Sequence, residues 1–140
     1  SHGVSVVADV MDCEIAPDEN CEGIILPGGM PGTLNLEKSE SVQKFIDYAV
    51  ENNLIIGAIC AAPSILGHKG TLNGKKAVCY DGFETQLFGA EIGNTPVCRD
   101  GNIITAVGAG AALEFGFKLT EAFVNQSQAK RIKESMKCTQ

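Results

Sequence analysis

One cysteine in the sequence lies where a buried strand meets a helix. Residues 54–59 (LIIGAI) form a short apolar run, Cys60 follows at once, and Pro63 stands where the first turn of a helix tolerates proline. The small residues Ala58 and Ala62 leave room for the sharp turn of a nucleophile elbow. That turn would lift the thiol above the carboxyl edge of a sheet, near a helix N-terminus that favours the thiolate. We predict a reactive thiol at Cys60; the alternative is a buried structural cysteine, as most free cysteines are.

Two glycines that end the preceding apolar run predict an anion-binding site beside Cys60. Gly28 and Gly29 follow residues 23–26, so their amides would approach the amide of Ala61. Two backbone N–H groups that converge on one point form an oxyanion hole. Taken alone, the glycine pair would fit a plain turn better than an anion-binding site.

Apolar runs along the chain predict short strands. They lie at residues 4–10, 23–26, 54–59, 96–98 and 102–106. Between the last two runs stands Arg99-Asp100-Gly101, and an Asp-Gly pair there predicts a hairpin. Residues 12–22 are polar and predict an irregular connection.

Apolar residues at helical spacing predict the remaining elements. They indicate a helix over about 39–52 with Ser39 as its cap, a helix from Pro63 bounded by Gly67 and Gly70, a helix opened by residues 108–110, and a last one carrying Ala129, Ile132 and Met136. Strands that alternate with helices predict an α/β domain, residues 1–140, whose mostly parallel sheet is covered on both faces.

The composition excludes several classes of partner. Seventeen acidic against 11 basic residues give a net charge of -6, without the basic stripe that a nucleic acid requires. The apolar runs are far shorter than the roughly 20 residues that span a bilayer. The six cysteines are scattered, with neither disulfide-framework nor zinc spacing. We therefore expect a cytoplasmic protein with reduced thiols and no metal or cofactor, which binds neither nucleic acid nor membrane.

Two motifs resemble the paired signature of the ThiJ/PfpI superfamily, and within it the DJ-type (parkinsonism-associated) branch. They are residues 25–29 (ILPGG) and 58–63 (AICAAP). Residues 103–105 (IIT), 108–110 (GAG) and 114–115 (EF) are similar to the family's final strand and the start of its next helix. The resemblance covers essentially the whole chain. It implies a flavodoxin-like three-layer sandwich, usually a homodimer.

The resemblance also implies an activity. Cys60 would be the nucleophile, with Gly29 and Ala61 supplying the oxyanion amides. The pocket would be lined by Gly28, Tyr80 and Gly108. Family activities include hydration of glyoxal and methylglyoxal without glutathione, and protein deglycation. The alternatives are a redox-responsive chaperone or oxidative-stress protein with Cys60 as its sensor, and a pseudoenzyme that keeps the turn for structural reasons.

The chain departs from the family pattern at three points. The family's glutamate partner of the cysteine, which follows its first strand, has no counterpart here. The peptidase branch has a histidine directly after the cysteine, where this chain has Ala61, so we do not expect peptidase activity. Tyr80 stands where the animal proteins have a pocket histidine, and a tyrosine packed at a core edge is the alternative interpretation. His68 lies two helical turns beyond Cys60, too far to act as its base.

The resemblance implies a further segment. The family's first strand, its helix and part of a hairpin, about 45–50 residues, correspond to nothing in these 140 residues. We expect that segment to accompany this chain as a companion polypeptide or additional residues, and to supply the missing carboxylate.

Overall fold

The computed structural model describes residues 3–138 and contains six strands and five helices within that range. The strands are β1 (Gly23–Leu26), β2 (Ile55–Ile59), β3 (Lys76–Ala77), β4 (Glu91–Ile92), β5 (Val97–Asp100) and β6 (Ile103–Ala106). The helices are α1 (Gly32–Lys38), α2 (Glu40–Glu51), α3 (Pro63–His68), α4 (Ala112–Phe123) and α5 (Gln126–Ser135). Short 3-10 turns occur at Asp12–Glu14, Glu84–Gln86 and Ala109–Ala111.

Four strands form one sheet in the order β1-β2-β6-β5. β1, β2 and β6 are parallel, and β5 is antiparallel to β6. Leu26 pairs with Ala58, and Ile59 pairs with Ala106, so the carboxyl ends of the three parallel strands meet at one edge. β3 and β4 form a separate parallel pair. The predicted α/β fold with a mostly parallel sheet is confirmed.

The sheet separates two apolar cores, because side chains alternate between the faces of a strand. On β2, Ile56 and Ala58 face a core that includes residues of α2 and α3. Ile55 and Ile59 face the opposite core, which contains Phe115 of α4. Helices therefore cover both faces, as the sequence predicts, and hold the carboxyl edge of β2 in place.

Local signals predict α2 well. The helix spans Glu40–Glu51, and the Ser39 hydroxyl accepts a hydrogen bond from the Val42 amide, which is the predicted cap. Helix α1 is not among the sequence predictions. Its first turn is held by the amide and hydroxyl of Thr33, which both donate to the Gly29 carbonyl.

Two sequence predictions differ from the structure. Residues 4–10 form no strand, and Val6 and Val7 are 87% and 94% exposed. An apolar run becomes a strand only where a neighbour completes its hydrogen bonds, and no described residue does so here. The β5–β6 hairpin is present, but its turn is Gly101-Asn102, because Asp100 pairs with Ile103.

No helix in the range 3–138 is long and apolar enough to cross a membrane. Within the same residues, no three His, Cys, Asp or Glu side chains group closely enough to hold a metal ion.

Candidate active site

Cys60 occupies the sharp turn that the sequence predicts between β2 and α3. Its φ is +66°, in the left-handed region that residues with a Cβ rarely adopt. The Cys60 amide donates to the Ala106 carbonyl at 2.9 Å, and the Tyr80 amide donates to the Cys60 carbonyl at 2.8 Å. The strained conformation is thus imposed by β6 on one side and by Tyr80 on the other. Strain that surrounding contacts maintain is typical of functional sites.

Gly28 packs directly against this turn. A Cβ added to Gly28 would lie 2.5 Å from the Cβ of Cys60 and 2.7 Å from the Ile59 carbonyl oxygen. The same position is 3.3 Å from the Ala61 amide nitrogen. Only glycine therefore fits between the end of β1 and Cys60, and the 28–29 loop lies beside both Cys60 and the Ala61 amide.

Hydrogen bonds to the carbonyl groups of Gly29 and Ala61 hold the backbone at these two residues in place. Gly29 has a φ of +95°, and its carbonyl accepts from the Thr33 amide at 2.8 Å and from the Thr33 hydroxyl at 3.0 Å. The Ala61 carbonyl accepts from the Ser64 hydroxyl at 2.7 Å. Neither the Gly29 nor the Ala61 amide donates to an acceptor within residues 3–138. Both N–H groups are therefore donors without an acceptor among these residues, and such donors are what an oxyanion hole requires.

Tyr80 and Gly108 lie together on the β6 side of Cys60. A Cβ on Gly108 would be 3.3 Å from Cδ2 of Tyr80, so the ring covers this glycine. Beside them is a cavity of about 540 Å³, which is lined by Tyr80, Asp81, Pro96, Val107, residues 108–111 and Glu114. Tyr80 is 53% exposed, which does not fit the alternative of a side chain packed at the core edge.

The structure adds two cavity residues that sequence reasoning missed. Asp81 lines the cavity directly after Tyr80, and Glu114 does so from the first turn of α4. The only signal in the sequence that Asp81 lies at this cavity is that it directly follows Tyr80. Glu114 belongs to a recognised motif, but the motif did not indicate where its side chain lies.

His68 is engaged elsewhere. It ends α3, its Nδ1 pairs with a carboxylate oxygen of Glu37, and its ring packs 5.2 Å, centroid to centroid, from the ring of Phe88. These contacts agree with its exclusion as the base for Cys60.

Cys79 is a buried thiol close to the site. Burial raises its pKa to about 11, and the nearby carboxylates of Glu84 and Asp81 and the Cys60 sulfur add to the rise. Cys79 therefore remains a neutral thiol at physiological pH. Burial also raises the pKa of Cys98.

Cys60 should be the first of the six thiols to be alkylated at neutral pH. Its elbow conformation and partial exposure make it accessible, whereas Cys79 and Cys98 are buried and protonated. Substoichiometric iodoacetamide followed by peptide mass spectrometry measures the order of labelling. Exposed Cys13 is the internal competitor; a faster reaction at Cys13, with Cys60 inert, contradicts the elbow interpretation.

The raised pKa of Cys79 makes stability fall in alkali. Unfolded Cys79 loses its proton near pH 9.0, whereas the folded protein keeps it until about pH 11. Over that window the unfolded state binds fewer protons, so the free energy of unfolding decreases as pH rises, by about 2 kcal/mol from this thiol. Urea unfolding at pH 8 to 11 should show a shallower decline for Cys79→Ala than for wild type. Cys13→Ala, at an exposed thiol, should retain the wild-type slope; equal slopes for all three proteins would contradict the assignment.

Comparisons with known proteins identify one family to which this sequence and this fold are similar. A model of the DJ-1/PfpI family matches residues 1–122. Protein DJ-1 homolog B of Arabidopsis thaliana is 35% identical over 130 residues, which are 91% of this chain and 30% of that protein. The structure of oxidized Toxoplasma gondii DJ-1 superimposes with a TM-score of 0.90 at 35% identity, and the match covers 96% of this chain and 73% of that one.

A protein/nucleic acid deglycase HchA from Staphylococcus aureus (strain bovine RF122 / ET3-1) is 37% identical over 82 residues. That match covers 59% of this chain and 27% of the deglycase. The chain thus spans less than a third of the length of these two curated relatives, from Arabidopsis and Staphylococcus.

Proposed function

Because this chain belongs to the DJ-1/PfpI family, we propose that Cys60 adds to small reactive aldehydes such as glyoxal and methylglyoxal and that the adducts are converted to hydroxy acids without glutathione. The observation that carries the proposal is the strained turn at Cys60, φ +66°, beside two amides without acceptors among the described residues. The deglycase name of the Staphylococcus relative supports chemistry on reactive carbonyl adducts at family level.

The chemistry proceeds by addition and internal proton transfer. The Cys60 thiolate attacks the aldehyde carbon of methylglyoxal, a C–S bond forms, and the carbonyl electron pair moves to oxygen. The oxyanion accepts hydrogen bonds from the Gly29 and Ala61 amides. A base then carries the proton from this carbon to the neighbouring ketone carbon through an enediol, which leaves a thioester. Water cleaves the thioester, releasing lactate and the thiol, so the net change is the addition of one water.

The base and a further strand would come from outside residues 1–140. No side chain in the described range hydrogen-bonds to the Cys60 sulfur, and the outer edge of β1 pairs with no described strand. Ile25 on β1 is 48% exposed. An additional strand beside β1 would cover Ile25 and bring a carboxylate to the carboxyl edge, where parallel strands bind ligands.

Intact mass and N-terminal sequencing of the purified protein test this companion segment. A second polypeptide or a longer chain is expected. A single 14.7 kDa species that unfolds cooperatively and is active alone would contradict it.

Family membership also leads us to propose a homodimer in the cytoplasm. The six cysteines are all free thiols, which agrees with a reducing compartment. Sedimentation velocity of the purified protein tests the assembly, and a monomer at micromolar concentration would contradict it.

The proposed activity is tested by lactate formation from methylglyoxal in buffer without glutathione. We expect turnover that stops when iodoacetamide has labelled Cys60. Turnover that persists after complete labelling of Cys60 would contradict the proposal.

A redox-responsive chaperone or stress protein is the second candidate, because the Toxoplasma relative was solved in an oxidized state. In this role peroxide oxidises the Cys60 thiol to sulfenic and then sulfinic acid, each step consuming one peroxide and releasing one water.

Mild peroxide should add two oxygens to Cys60 and form no Cys60–Cys79 disulfide. The reason is that Cys79, with its pKa raised to about 11, remains protonated and does not attack a sulfenic acid. Peptide mass spectrometry measures both products. A linked Cys60–Cys79 peptide with the loss of two hydrogens would contradict this prediction.

A further inference from the structure

Two buried hydroxyl groups bond to the two residues of the candidate oxyanion hole. The polar side chains that are buried in the range 3–138 are Thr33, Ser64 and Thr105, with exposed fractions of 1%, 3% and 1%. The Thr33 hydroxyl donates to the Gly29 carbonyl at 3.0 Å. The Ser64 hydroxyl donates to the Ala61 carbonyl at 2.7 Å. Each hole residue is therefore held by the side chain of a residue in the first turns of the helix that follows it.

Both carbonyls also accept a hydrogen bond from a backbone amide. The Thr33 amide donates to the Gly29 carbonyl at 2.8 Å, and the Ser64 amide donates to the Ala61 carbonyl at 3.1 Å. Removal of a hydroxyl would therefore leave neither carbonyl without a donor. A buried hydroxyl gives up its hydrogen bonds to water, so an apolar side chain of similar shape would serve the packing about as well. Stability of the fold does not by itself explain these two hydroxyls.

The second donor fixes the direction of each peptide group. A carbonyl with one donor can still tilt about that bond, whereas donors on both lone pairs hold it in one direction. The carbonyl and the amide of one residue are joined through the two backbone torsions only, so a fixed carbonyl limits where the N–H points. The need is greatest at Gly29, whose φ is +95° and whose torsions no Cβ restricts.

We propose that Thr33 and Ser64 are positioning residues, whose hydroxyls hold the Gly29 and Ala61 amides in the directions that bind the oxyanion formed at Cys60. The inference rests on the proposed function, since that oxyanion arises when the thiolate adds to an aldehyde. Each hydroxyl acts through the backbone of a hole residue. The stabilisation of an oxyanion depends steeply on the distance and direction of its donors.

Thr33→Val and Ser64→Ala remove the hydroxyls and leave the backbone hydrogen bonds. Each should lower kcat for lactate formation from methylglyoxal by about tenfold and keep KM within about twofold of wild type, because the oxyanion forms only on the way to the transition state. Alkylation of Cys60 by iodoacetamide should keep its wild-type rate. In that reaction a C–S bond forms as the C–I bond breaks, and iodide, not an oxygen, takes the charge. Thr33→Ser, which keeps the hydroxyl, should recover the turnover.

Two hydroxyls elsewhere in the chain provide matched controls. The Thr120 hydroxyl in α4 donates to the Gly116 carbonyl, four residues earlier, at 2.9 Å. The Ser135 hydroxyl in α5 donates to the Ile132 carbonyl, three residues earlier, at 2.8 Å. These spacings are the same as those of the threonine and serine bonds at the hole. Thr120→Val and Ser135→Ala should keep wild-type turnover and alkylation, and urea unfolding of all the variants reports whether each is folded.

The outcomes are distinguishable. Turnover within about twofold of wild type in both Thr33→Val and Ser64→Ala overturns the inference and leaves the proposed function standing. An equal loss of turnover and alkylation also overturns it, because the hydroxyls would then support the thiol or the fold rather than the hole. A loss in Thr33→Ser as large as that in Thr33→Val has the same meaning. Wild-type protein that forms no lactate overturns the proposed function and this inference with it.

Discussion

Replacing Cys60 by serine should lower the rate of lactate formation from methylglyoxal by at least about 10³-fold. Serine is close to cysteine in size, so the turn at φ +66° and its hydrogen bonds to Ala106 and Tyr80 should persist. Its hydroxyl does not ionise near neutral pH and has no described base beside it, so the addition to the aldehyde carbon is lost. Lactate measured with a dehydrogenase-coupled assay reports the effect.

Cys13→Ser is the matched control, because Cys13 is exposed and lies beside residues 39–41, in a pocket whose lining does not include Cys60. It should retain wild-type turnover. The urea midpoint of the Cys60 variant should stay near that of wild type, which excludes unfolding as the cause. Turnover by Cys60→Ser within tenfold of wild type would contradict a nucleophilic role for Cys60.

Gly28→Ala should damage both the site and the fold. The added methyl would lie 2.5 Å from the Cβ of Cys60 and 2.7 Å from the Ile59 carbonyl oxygen, well inside contact distance. The backbone must shift, at a cost of about 1–3 kcal/mol in the free energy of unfolding. A displacement of the Gly29 amide relative to Cys60 should reduce turnover by about 10²-fold. Urea unfolding and the lactate assay measure the two effects.

Gly32→Ala provides the control within the same loop and helix start. A Cβ at Gly32 meets nothing within 4 Å, so the variant should unfold like wild type and keep its turnover. Wild-type stability and turnover in Gly28→Ala would show that the close approach of Gly28 to Cys60 is not required.

Local sequence patterns predict the helices and strands whose formation depends on residues close together in the sequence. The apolar periodicity and the Ser39 cap predict α2, and glycine and asparagine boundaries delimit β1 and β2 to within a residue. The same holds for Cys60 and its flanking alanines, because the steric requirements of a tight strand-to-helix turn are local.

Pairing between segments that are distant in the sequence decides whether an apolar run becomes a strand and where a hairpin turns. Residues 4–10 have the composition of a strand, yet they form none, because their backbone groups find no partner among the described residues. The hairpin turn lies at Gly101-Asn102 rather than at Asp100-Gly101. Asp100 instead pairs with Ile103 and accepts a hydrogen bond from the Lys76 amide through its side chain.

The sequence by itself determined the α/β class, the position of Cys60 at its turn, and the two glycines that follow β1. These depend on local sterics and on hydrophobic periodicity. Only the tertiary structure decided which residues surround that thiol. Gly28 and Tyr80 come from segments far from Cys60 along the chain. Gly28 meets Cys60 because parallel pairing aligns the ends of β1 and β2 at one edge, and Tyr80 is held there by the hydrogen bond from its amide to the Cys60 carbonyl.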